Sequence, residues 1–129
     1  MKFVMSLFLA CGLVLVAGSE AKANPSYAKD YPKAGPNAGE VVVKGTVNVG
    51  APDKTTGTAQ IAATPKNGGM IHTAAFLLPS GSGEIAWGEA TISGLTSNQE
   101  YWIQVTIMVI RPTGTTYPVS TAPVLVRAP

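Results

Sequence analysis

Glu89-Ala-Thr-Ile-Ser-Gly-Leu-Thr-Ser-Asn-Gln-Glu-Tyr-Trp-Ile-Gln-Val-Thr-Ile-Met-Val-Ile110 is the stretch whose reading decides the fold. From Tyr101 onward apolar side chains recur at every second position, so Tyr101, Ile103, Val105, Ile107 and Val109 share one face. A period of two with β-branched residues predicts a strand laid against a core. Upstream, Ala90, Ile92 and Ser93 predict a second strand, ended by Gly94 and a polar turn from Thr96 to Gln99. Leu95 stands six residues before Tyr101. A tyrosine at the start of a late strand can turn its hydroxyl back onto the backbone of the preceding corner. Its ring then fills the core while its oxygen stays hydrogen-bonded.

The opposite row of the same strand is Trp102, Gln104, Thr106, Met108 and Ile110. It is unusually apolar for a solvent face and calls for cover by a loop, the amino-terminal arm or a second copy. The open alternative is a ligand platform, on which Trp102 and Gln104 would stack on and hydrogen-bond a sugar or a peptide.

Three segments together resemble the back half of a fibronectin type III domain. Ala90-Thr-Ile-Ser-Gly-Leu95 is similar to that family's fifth strand and corner leucine, and Tyr101-Trp-Ile-Gln-Val105 to its sixth strand. Ser120-Thr-Ala-Pro-Val-Leu-Val126 is similar to its last, so the resemblance runs over residues 89–126. It implies an all-β, immunoglobulin-like sandwich with Leu95 and Tyr101 as its structural corner. It also implies a binding surface on the outer face and the following loop: Trp102, Gln104, Thr106, Met108, Arg111 and Tyr117.

The amino terminus has its own logic. Met1-Lys2, an apolar run from Phe3 to Gly18 and the Ala21-Lys22-Ala23 exit have the form of a secretory signal peptide, residues 1–23. Cys11 is the single cysteine and lies inside the apolar run, so the exported chain is expected to carry no thiol, disulfide or zinc–thiolate site. Lys2, Lys22 and Glu20 leave with the signal, reducing nine basic and seven acidic residues to seven and six. Near-neutral charge offers no steering to nucleic acid or anionic membranes. The expected location is secreted, periplasmic or cell-surface, without stable membrane insertion after cleavage.

Residues 24–39, with Pro25, Pro32 and Pro36 among Tyr27, Lys29, Tyr31 and Lys33, predict a flexible arm. The β-sandwich domain is expected over 40–129. Its strands fall at 40–50, 58–64, 70–78, 84–89 and 90–93, then 101–110 and 120–126, about seven in all. Residues 51–57 and 111–118 are expected to be loops, Gly45 marks a bulge or sheet switch, and Pro123 marks an edge or bulge.

Catalytic chemistry finds little purchase. His72 is the only histidine, and mid-strand it fits packing better than ligation. No Gly-x-Ser-x-Gly elbow, Asp-x-Asp run or phosphate-binding glycine loop occurs. Glu84 and Glu89 are five apart, which on a regular strand puts them on opposite sides. The sequence therefore points to a small exported, non-enzymatic module without cofactor or metal, interacting with a protein partner or with itself. A carbohydrate-binding or weakly hydrolytic protein, drawing on Trp87, Tyr101, Trp102 and Tyr117, is the alternative.

Overall fold

In the computed structural model, which describes residues 26–129, the chain forms eight strands and no helix. The signal segment with its Ala-Lys-Ala exit, and Cys11, lie outside the described residues. The strands are β1 (Tyr27–Ala34), β2 (Val41–Val49), β3 (Lys54–Pro65), β4 (His72–Leu77), β5 (Gly83–Ile92), β6 (Glu100–Ile110), β7 (Thr116–Ser120) and β8 (Val124–Arg127). All pairings are antiparallel: one sheet runs β1-β2-β5, the other β4-β3-β6-β7, with β8 also on β6. Both sheets turn alternate rows inward, so the core is built from valine and isoleucine of β2, β3 and β6. Tyr101, Ile103, Val105, Ile107 and Val109 are all buried, as their spacing predicts.

The corner is present. Tyr101 is 1% exposed, and its hydroxyl accepts the Thr96 backbone N–H at 2.8 Å. Leu95 is buried beside it, and its N–H donates to the Gly39 carbonyl at 3.0 Å. Gly39 has a φ of 72°, and a Cβ there would stand 2.4 Å from the Leu95 oxygen, so only glycine fits. Edge-on against the Tyr101 ring lies His72, with centroids 5.9 Å apart.

Several expectations are corrected. Residues 27–34 are not a flexible arm: they form β1, paired residue for residue with β2 from Tyr27↔Asn48 to Ala34↔Val41. The Tyr-x-Lys-x alternation is itself a period of two, putting Tyr27, Lys29, Tyr31 and Lys33 outward, and an edge strand tolerates Pro32. The segments 84–89 and 90–93 merge into one strand, β5, through a bulge where Gly88 and Glu89 stand opposite Lys44 alone. That extra residue returns Glu89 to the outward face shared by Glu84, so the two carboxylates are not on opposite sides. Five residues at about 3.3 Å each still hold them about 16 Å apart, too far for an acid/base pair. The expected loop at 51–57 gives its second half to β3, with an irregularity between Thr55 and Ala59 at Gly57 (φ 96°). The expected loop at 111–118 is a tight hairpin whose end, Thr116–Pro118, belongs to β7. Pro123 falls in the break between β7 and β8.

One charge points inward. Asp30 is 8% exposed, and its Oδ2 has no hydrogen-bond partner among the described residues. Burial pushes its carboxyl above the ordinary value of 3.8, which the neighbouring Thr121 hydroxyl only partly offsets. An acid whose folded pKa is raised favours the folded state most below its unfolded pKa, and that benefit is lost as pH rises through the folded pKa. Asp30→Asn should therefore be more stable than wild type at pH 7, and the gap should close as pH falls below about 4. Urea midpoints of both proteins across that range check this, and a pH-independent gap would contradict it.

Candidate functional site

The outward row of β6 is the middle of an uncharged face. Cross-strand partners set its neighbours: Thr64 and Leu125 flank Trp102, Ala62 flanks Gln104, and Gln60 and Ser120 flank Thr106. Pro118 lies beside Met108. Charges are confined to the ends of the face, with Lys54 at one end and Glu100, bridged to Lys66 and Arg127 at 3.3 and 3.8 Å, at the other.

At one point this face opens into a groove of about 500 Å³ lined by Thr64, Trp102, Gln104 and Pro123. Its origin is the break between β7 and β8. There Thr121 takes over the ladder: its N–H donates to the Val105 carbonyl, and its hydroxyl accepts the Val105 N–H, both at 2.9 Å. Ala122 and Pro123 then step away from β6, because proline cannot donate to a ladder. Trp102 is left 41% exposed along one wall. The Gln104 amide is held by donation from Nε2 to the Thr121 carbonyl at 2.9 Å, which leaves Oε1 as an acceptor without a hydrogen-bond partner among the described residues. Thr106 shares a hydrogen bond of 2.9 Å with Ser120, and with Met108 it lines a smaller depression next to Thr58, Ala59 and Gln60. An indole face, a hydroxyl and an amide without a charge suit stacking and hydrogen bonding rather than ion pairing.

Trp102, Gln104, Thr106 and Met108 are thus brought together, but Arg111 and Tyr117 are not. Tyr117 pairs with Val109, so it shares the inward side and packs against the end of the core. Its hydroxyl donates to Asp53 Oδ2 at 2.7 Å, and the Arg111 guanidinium sits 4.2 Å from its ring centroid. Burial first, and the Asp53 carboxylate after it, raise the Tyr117 pKa. These two residues close the sandwich at that end. Trp87 likewise leaves the list of ligand aromatics: it is 5% exposed, its Nε1 donates to the Val43 carbonyl at 3.2 Å, and its ring lies 5.5 Å from that of Phe76. Tyr101, too, is core.

Sequence reasoning missed Thr64 and Pro123 as groove residues. Pro123 carried a signal, since a proline in a last strand forces the chain off the ladder. For Thr64 none existed, because its place depends on the register that sets it opposite Trp102.

No protein-family model matches the chain, and no curated protein matches it. A solved structure, the X-ray structure of a Northeast Structural Genomics Consortium target, is similar with a TM-score of 0.46 and 13% identity. The match covers 81% of this chain and 86% of that one, and at that score it carries no argument about fold family or function.

Proposed function

We propose that this chain is a small exported, non-enzymatic binding module of immunoglobulin-like, fibronectin type III-like design, which meets a protein partner through the outer face of its larger sheet. The observation that carries the reading is the Trp102 groove: an exposed indole on an uncharged face, opened by a proline break, with a positioned amide beside it. The strand order β1-β2-β5 against β4-β3-β6-β7/β8, together with the Tyr101–Thr96 corner, supports the family resemblance. Non-enzymatic action is supported by the packing of His72 against Tyr101 and the separation of the carboxylates. A second reading, a neutral polysaccharide in the same groove, is favoured by the company of Trp102, Thr64 and Gln104.

Both readings make the same demand on Trp102. Immobilised wild type should retain either a protein from the exported fraction of its own cells or a soluble neutral polysaccharide. Trp102→Ala should weaken that retention about tenfold or more. Because the side chain stands on an open face, the variant's unfolding free energy should stay within about 1 kcal/mol of wild type. Equal retention by both proteins would exclude the groove, and turnover of a polysaccharide that survives repeat purification would overturn the non-enzymatic reading.

A further inference from the structure

The sheet edges are not protected alike. β1 carries Lys29, Lys33 and Pro32 and turns Asp30 inward. On β5 there are Glu84, Glu89 and a bulge at Gly88. β7 contains Pro118, and β8 is a four-residue strand that ends on Arg127. Charges, prolines, bulges and short length are the devices that stop an edge from pairing with another chain.

β4 has none of them. Among the described residues it pairs only with β3, so its other edge offers backbone N–H and C=O groups to solvent. Between Lys66 and Glu84 there is no charged side chain. Thr73, Ala75 and Leu77 point outward, Leu77 being 80% exposed, and just before the strand Met70 and Ile71 are 80% and 55% exposed.

An edge of this kind is completed by a strand, and we infer that the strand is β4 of a second copy, paired antiparallel about a two-fold axis at Ala74. An antiparallel pair keeps both outer faces on one side only if residues of like parity oppose each other. Centred on Ala74, that rule sets Ile71 of one copy opposite Leu77 of the other, Thr73 opposite Ala75, and His72 opposite Phe76. Two large apolar side chains that are exposed in one copy then cover each other twice over, and no like charges meet. A two-fold interface uses the same patch on both copies, which this register does. An extended segment from another protein would satisfy the backbone as well, but it leaves the matching of Ile71 with Leu77 unused. The dimer joins the larger sheets into one and carries two Trp102 grooves on the same side, and it does not depend on what those grooves bind.

Sedimentation of the exported chain over a wide concentration range tests the pairing. Wild type should be a dimer, and Leu77→Lys, at an exposed position, should shift its dissociation at least tenfold toward monomer. Thr106→Lys, on the groove face, should sediment as wild type does. In that exported chain, Thr73→Cys mixed with Ala75→Cys should form a disulfide-linked dimer faster than either protein alone. Wild type monomeric throughout, a dimer indifferent to Leu77→Lys or lost in Thr106→Lys, or no preference for the mixed disulfide would each overturn the inference. Binding to the groove by a monomeric Leu77→Lys would leave the proposed function standing, so the two claims fail separately.

Discussion

Tyr101→Ala should lower the unfolding free energy by about 3–5 kcal/mol, and Tyr101→Phe by about 1–3 kcal/mol. The two substitutions divide the residue's work. Alanine removes a fully buried ring and leaves a cavity between the sheets, next to the edge of His72. Phenylalanine keeps the ring but deprives the Thr96 N–H of the hydroxyl that accepts it at 2.8 Å. Denaturant midpoints with unchanged slopes give both values. A midpoint in Tyr101→Phe equal to wild type would mean that the corner bond contributes nothing, leaving only the ring.

A comparable loss, about 3–5 kcal/mol, is expected for Trp87→Ala. The ring lies over Gly45, where a Cβ would come within 2.4 Å of ring carbon Cζ2 and 2.3 Å of the Lys29 carbonyl oxygen. Gly45 is therefore the seat of the indole and the point of close approach of β1, and the bulge lies next to it rather than on it. Gly45→Ala should cost about 1–3 kcal/mol by overpacking. Combining it with Trp87→Ala should relieve only part of that cost, since the contact with the Lys29 backbone persists. A double-mutant cycle reads the coupling directly, and full additivity would show that ring and glycine do not depend on each other.

Legibility in the sequence followed the physics of alternation. β6 could be read outright because one face is buried and the other is not, so every second residue from Tyr101 to Val109 carries the signal. The Leu95–Tyr101 spacing marked the corner for the same local reason. β1 was hidden because Pro32 and the lysines suggest a solvated linker, while its pairing with β2 is a long-range property. The bulge at Gly88–Glu89 was invisible because one extra residue reverses the facing of everything after it, as with Glu89 relative to Glu84. At the site, the row Trp102, Gln104, Thr106 and Met108 was legible from its parity. Tyr117 was misassigned because its side follows from its pairing with Val109, which no local pattern reveals.

The inner row of β6 is buried in the core, and its outer row is the surface proposed to meet a partner. Photocrosslinking tests that division most directly, with a benzophenone side chain placed at Gln104 or, on the outward face of the smaller sheet, at Thr46 of the full chain made in its own cells. Adducts of a defined mass from position 104 and none from position 46 are the predicted result. Adducts from position 46 alone, or the same adducts from both positions, would contradict it.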